Sequence, residues 1–545
     1  MNELLPSLAG VLLFLLPGLG LTALFPGLRT LPLPRRLGYA YLLGLATVAG
    51  SLYAGSHLFG LPLRRVEILL VAAGLAGLGV VKKRPHPRPL PGIGQVGDGR
   101  GAGGIGVNLN VGEGLAPSRV GGDIEPPRCS GNSKSTESAF WKSSEGEDRA
   151  FPPPREGASP SPTSRKELKL TPRGAGGEGA FARLSLALLL LVCLGLFADA
   201  VTSPVTGWDG RMIWSTQARY LRAEGTVDAA ALRDARWFVN HPRYPLLLPV
   251  AQEAVLEVTG AEVDRHVFRT LYASLFPALL LVFWDGAVRW AGAPAARLAA
   301  LAAAGAPALT FWQDGGAASA YSDLPLGCLA GAGLVLLLRS RRSFADAFAA
   351  GLLLAGAALT KNEGALLALF APAAAAFLLF SRGDRGRQAA RLLIALAPVL
   401  LALAFLASWR AGIPNRYDEG YASFVRPGAF WPGVVTRIPE LAPLAVRRML
   451  SWDPWAAFWW IVPPVLFAGR RGLRGQRRPL ARSLKLAAAA PLLIGWGAYA
   501  VHWDPAPLLA VTWSRFLVQG SLPLLLLLAL ALRPLVRRDL ARNSH

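Results

Sequence analysis

The chain has 545 residues, 52% of them hydrophobic and 17% charged, with 57 Lys and Arg against 34 Asp and Glu for a formal charge of +23. The cations punctuate apolar runs instead of forming a basic stripe interleaved with exposed aromatics, which argues against nucleic acid as a partner. Three widely separated cysteines, Cys129, Cys193 and Cys328, supply neither a disulfide framework nor a metal cluster.

The apolar residues gather in repeated runs of about 18 to 22, the length that crosses roughly 30 Å of hydrocarbon. The opening, MNELLPSLAGVLLFLLPGLG, lacks the basic start of a cleaved signal peptide and reads as a first span, Leu4–Phe25. Leu37–His57 and Val66–Val81 follow, then Phe181–Ala200, Phe268–Trp290, Ala295–Trp312 and Leu324–Leu338. The series closes with Ala345–Leu359, Ala365–Phe380, Ala389–Trp409, Trp455–Phe467, Leu484–Val501 and Phe516–Leu532. The fold class expected is all-α, a multi-pass membrane protein of about 13 transmembrane helices.

With that count, the basic connections fall on one side, which the positive-inside rule makes cytoplasmic. They carry Arg35 and Arg36, Lys82 to Arg84, Arg339 to Arg342, Arg382 to Arg391, and Arg470 to Lys485; the tail, 534–545, is basic as well. Arg64 and Arg65 land on the other side, against the trend. Residues 83–180, rich in Gly, Pro and Ser, bury too little apolar surface to fold and read as a disordered cytoplasmic linker. It divides a three-span N-terminal accessory bundle, 1–82, from a ten-span core, 181–533. The glycine-rich pieces of the linker are not read as a phosphate loop, because no strand precedes them and no helix follows.

The core opens on a large external loop, 201–266, beginning VTSPVTGWDGRMIWSTQARYLRAEG. Asp209 lies between Trp208 and Gly210, followed by helical spacing that puts Ile213, Trp214, Ala218 and Leu221 on one side and Arg211, Arg219 and Arg222 on the other. Further carboxylates expected on the same side are Asp314, Asp323, Glu363, Asp418, Glu419, Asp453 and Asp504, several at the very ends of spans. A charge at the bilayer boundary either caps a helix in water or faces a functional cavity, and gathering on one side favours the cavity. Arg515 either snorkels to headgroups or forks onto a phosphate. Lys361 is a second cation, with a salt bridge to Glu363 as its alternative. His241, in HPRYP, is equally a loop residue or a ligand-binding one. No His or Cys pattern indicates a catalytic metal, and no cofactor is expected, although paired carboxylates would hold a divalent ion weakly.

An Asp opening the first large external loop, an amphipathic segment ending Ala218-Arg219-Tyr220, then His241-Pro242 before an apolar run, resembles the GT-C superfamily. These are integral-membrane glycosyltransferases that use polyprenyl-phosphate sugars, among them the protein mannosyltransferase and aminoarabinose transferase branches. The YSDLPLG turn with Asp323, the KNEG turn with Lys361 and Glu363, and TWSRFLVQGSLP with Arg515 resemble later landmarks of such enzymes, over roughly residues 181–532. Many relatives carry Asp-Glu where this chain has Asp209-Gly210, and the three N-terminal spans and the linker lie outside the usual core.

The resemblance implies transfer of a sugar from a polyprenyl-phosphate donor to a hydroxyl of a glycan, lipid or protein acceptor, with inversion, on the extracytoplasmic face of the plasma membrane. Asp209 would be the catalytic base, its carboxylate partly desolvated beside Trp208. Arg515 and Lys361 would stabilise the leaving phosphate, and Trp208, Arg219, His241, Asp323 and Glu363 would contact substrate. The competing expectation is a transporter or lipid-linked-glycan flippase, which calls for charges deep within spans or two related halves of broken helices.

Overall fold

The computed structural model describes residues 3–81, 175–262, 266–339, 343–382, 384–414, 427–502 and 504–542. Most of the segment expected to be a linker, and the carboxylates Asp418 and Glu419, lie outside the described residues. Among the described residues all regular structure is helical.

Among the described residues seven helices are long and apolar enough to cross a membrane: α1 (Leu4–Thr22), α2 (Leu33–Phe59), a span Gly179–Thr202 within a longer helix, His266–Trp290, Asn362–Leu379, Arg385–Ala411 and Arg478–Val501. An eighth is broken, Pro505–Gln519 running into Ser521–Arg537 with a bend of 60°. The other five predicted spans fall on helices of 11 to 17 residues: Arg65–Val81, Ala293–Ala304, Asp323–Arg339, Phe344–Ala358 and Phe458–Ala468. With α3 for Arg65–Val81 and α4 for Ala175–Thr202, the elements that matter below are α5 (Thr216–Glu224), α6 (Leu247–Thr259), α7 (His266–Trp290) and α8 (Ala293–Ala304). They continue as α9 (Asp323–Arg339), α10 (Phe344–Ala358), α11 (Asn362–Leu379) and α12 (Arg385–Ala411). The last are α13 (Pro427–Met449), α14 (Phe458–Ala468), α15 (Arg478–Val501), α16 (Pro505–Gln519) and α17 (Ser521–Arg542).

Small residues set how closely these helices approach, since lipid gives apolar side chains no reason of their own to associate. A Cβ on Gly18 of α1 would lie 1.7 Å from the Ala40 carbonyl oxygen of α2. The two backbones therefore touch, which only glycine permits. Proline inside α11 and α15, at Pro372 and Pro491, is tolerated because neighbouring helices enclose the freed backbone groups. The N-terminal helices belong to one compact unit with the core, Met1–Arg84 together with Gly174–His545. Tyr41 donates to the Leu271 carbonyl at 2.8 Å, and Gly27 N donates to the Asp346 carboxylate at 3.0 Å. Asp285, fully buried in α7, collects Tyr39 at 3.3 Å, Arg339 at 3.3 Å and Arg35 at 3.7 Å.

The topology brings four chain segments together at one end of the bundle. They are the turn after α4, the N-termini of α9 and α11, and the last turns of α16 just before its break.

Candidate functional site

The turn after α4 is held from behind. Arg269, 1% exposed, donates to the carbonyls of Asp199 at 2.8 Å and Ala318 at 2.7 Å, to that of Ser203, and to the Asp199 carboxylate at 2.6 Å. One guanidinium thus fastens the segment leading to Asp209 onto the loop leading to Asp323. Asp209 then opens a π-helical turn, Gly210–Ser215, that runs into α5. Such turns widen the helix and are concentrated at functional sites. Ile213, Trp214, Ala218 and Leu221 are buried and Arg211 and Arg219 exposed, as the spacing predicts, but Arg222 is half-buried and donates to the Ala261 carbonyl at 2.6 Å. The apolar side packs on α6.

Asp323 is the hub of an ion network. It is fully buried and accepts from Lys361 Nζ at 3.1 Å and Gln519 Nε2 at 2.8 Å on Oδ1, and from Arg515 Nε at 2.8 Å on Oδ2. A buried carboxylate is tolerated only when paired and hydrogen-bonded in this way. Arg515 Nη2 reaches on to Asp209 Oδ2 at 2.6 Å, and Lys361 Nζ to Glu363 Oε1 at 3.1 Å. Arg515 and Gln519 are four residues apart on α16, so both face α9 from the same side of the helix. The Tyr321 ring lies 4.8 Å from the Arg515 guanidinium carbon, a cation–π contact. Its hydroxyl accepts from Asp209 N at 3.2 Å and donates to Asp314 Oδ1 at 3.3 Å. Burial, then the Asp209 charge, pushes the Tyr321 phenol up, keeping it a neutral donor.

The network forms one end of a cavity of about 770 Å³. Its polar wall holds Asp209, His241, Lys361, Glu363 and Arg515, together with Arg243, Asn362 and Arg410. Four Arg and Lys side chains therefore face two carboxylates there. Arg243 Nη1 donates to the carbonyls of Arg410 at 3.2 Å and Ile413 at 2.6 Å, at the end of α12, while Arg410 Nε returns a bond to the Arg243 carbonyl at 2.9 Å. His241 has a left-handed backbone, φ 49°, and its ring stacks on Tyr244 at 4.7 Å. The apolar part of the lining comes from α11, α15 and α16, with Leu366, Phe370, Leu493, Ile494, Val511 and Phe516.

Six of the eight residues singled out from sequence thus meet around one cavity or directly behind it. Two do not. Trp208 is 56% exposed and does not line the cavity, so its indole is not what shields Asp209; Arg515 and Tyr321 are. Arg219 is exposed on α5 and lies outside the cavity lining. Lys361 does pair with Glu363, but Asp323 holds it as well. Sequence reasoning missed Tyr321, Gln519, Arg243 and Arg410. Tyr321 stands two residues before Asp323, and Gln519 one helical turn after Arg515, so local spacing could have found both. Arg243 and Arg410 meet across 167 residues, which no local pattern reveals.

Among the described residues no three His, Cys, Asp or Glu side chains are grouped as metal ligands. The carboxylates at the site are turned instead toward Arg and Lys. No protein-family model, curated protein or solved structure matches the chain.

Proposed function

We propose that this chain is a GT-C-type membrane glycosyltransferase with thirteen spans, moving a sugar from a polyprenyl-phosphate donor to an acceptor hydroxyl on the outer face of the membrane. The observation that carries this reading is the two-sided cavity, in which carboxylates and cations at one end continue into an apolar wall from α11, α15 and α16. A phosphate-linked sugar suits the charged end, and a greasy polyprenyl tail suits the apolar one.

Asp209 is the base in this scheme. It lines the cavity, whereas Asp323 is sealed behind it, so of the two acids joined by Arg515 it is Asp209 that a bound hydroxyl would reach. Arg515 holds the Asp209 carboxylate at the cavity wall, with Nη2 at 2.6 Å from Oδ2. The acceptor oxygen loses its proton to Asp209 and attacks the anomeric carbon, and the bond from that carbon to the phosphate oxygen breaks. The phosphate takes up negative charge as it leaves, beside the cations of Arg515, Lys361, Arg243 and Arg410. Asp323 is a positioning residue that sets Arg515 and Lys361.

A transporter would carry a charge deep in a span, and Asp285 in α7 is one. Arg35, Arg339 and Tyr39 occupy it, however, which makes it a tie between helices. The test is release of sugar from a panel of radiolabelled polyprenyl-phosphate sugars by purified protein. Turnover in wild type that is lost in Asp209→Asn supports the enzyme and its base. Turnover unchanged in the variant removes Asp209 from that role, and a chain that neither binds nor cleaves any donor is not this enzyme.

A further inference from the structure

A second group of chemically capable side chains lies away from the cavity lining. His57, in the last turn of α2, faces the Asp228 carboxylate with Nδ1, at 3.0 Å from Oδ1 and 3.1 Å from Oδ2. Its other nitrogen, Nε2, is 3.4 Å from Ser408 Oγ on α12. A carboxylate at Nδ1 holds the proton there and leaves the Nε2 lone pair turned toward the hydroxyl. This is the order of contacts that activates a serine: hydroxyl to imidazole to carboxylate.

The Ser408 hydroxyl is itself unusual. Serine and threonine in membrane helices commonly bond the carbonyl four residues back, as Ser185, Thr360 and Thr512 do here. Ser408 is directed to His57 instead. Asp228 is also rigidly set, because Val227 N donates to Ser56 Oγ at 3.2 Å and the Val227 carbonyl accepts from Trp409 Nε1 at 3.2 Å. Arg233 bonds Asp228 at 3.4 Å and passes over Gly412, one turn beyond Ser408, where a Cβ would stand 3.6 Å from its Nη2. It brings a cation to the side of α12 that carries Ser408.

We propose that Ser408, His57 and Asp228 form a second active site, acting on carboxylic esters of lipids at the membrane surface. Ser408 is exposed near the end of α12, and Leu401, two turns earlier on the same face, is 73% exposed and offers an acyl chain a place to lie. Oγ attacks the ester carbonyl carbon while its proton passes to His57 Nε2. The bond to the alcohol oxygen breaks, and that oxygen takes the proton from His57. Water then repeats the sequence, releasing the acid and restoring Ser408. Arg233, which reaches Gly412 one turn beyond Ser408, would supply positive charge for the oxygen on which charge develops. The proposal is independent of sugar transfer.

The experiment is reaction of the full-length protein in detergent with a long-chain fluorophosphonate, the adduct being located by peptide mass spectrometry. The expected result is an adduct on Ser408 that forms about 100-fold more slowly in His57→Ala. Because His57 also ties α2 to the loop, Asp228→Asn, which keeps the contact but not the charge, is the second variant and is expected to slow the reaction as well. Wild-type protein that forms no adduct at Ser408, or one that forms equally fast without His57, would overturn the proposal.

Discussion

Asp209 in the cavity wall and Asp323 in the interior are joined through a single guanidinium, with Arg515 Nη2 at 2.6 Å from the first and Nε at 2.8 Å from the second. A carboxylate with no access to water thereby fixes the place of one that has it. The consequences for the two acids differ.

For Asp323 the expected consequence is structural. Asp323→Asn leaves Arg515 and Lys361 buried with one fewer charge to answer them, and breaking such a buried pair costs about 3–5 kcal/mol. Thermal unfolding in detergent should show a fall of several degrees. A melting temperature equal to wild type would mean that Asp323 does not organise the site.

Asp209→Asn should behave otherwise. Arg515 retains Asp323, so the fold and its melting point should stay close to wild type. Turnover of a polyprenyl-phosphate sugar should drop about 10² to 10⁴-fold, the range supplied by a positioned base. Loss of folding together with loss of turnover would place Asp209 in the framework and not in the chemistry.

The contrast between these two acids shows where sequence reasoning reached and where it stopped. Apolar run length revealed the helical character, and span ends revealed Asp209, Asp323, Lys361, Glu363 and Arg515, because an ionisable group at a boundary is conspicuous against an apolar background. Which of them is buried depends on packing between α9, α11 and α16, and no single segment encodes that. Trp208 misled for the same reason. An indole next to a carboxylate in sequence need not cover it in space, and here it points outward. Arg243 and Arg410 stand 167 residues apart, and only the fold brings them together.

Gly210, next to the proposed base, is packed tightly against the loop that carries Tyr321. A Cβ there would lie 2.6 Å from the Ser319 carbonyl oxygen, so an acidic side chain directly after Asp209 has no room in this chain. Gly210→Ala should push the 319–321 loop away from the turn and, with it, Tyr321 from Asp209. The expected result is a loss of about 1–3 kcal/mol, typical of overpacking, and turnover reduced more than tenfold with the donor still bound. An alanine variant with full turnover would show that the contact yields easily.

Glu253 gives a pH signature apart from the cavity. It is 1% exposed on α6, outside the predicted spans, and its Oε2 has no hydrogen-bond partner among the described residues. Burial raises its carboxyl from an ordinary value of 4.5 to about 8, against the opposing pull of Arg222 and with help from Glu257. A raised value in the folded state means that folding favours the proton. That contribution to stability is complete below about 4.5 and is lost as pH rises through about 8. Wild-type protein should therefore melt at progressively lower temperature between pH 5 and pH 9, whereas Glu253→Gln, neutral throughout, should lose this part of the slope. The two proteins should converge near pH 5, with the glutamine variant the more stable at pH 9. Parallel melting curves for the two proteins across that interval would show that Glu253 is ionised in the fold and that its burial is answered by Arg222.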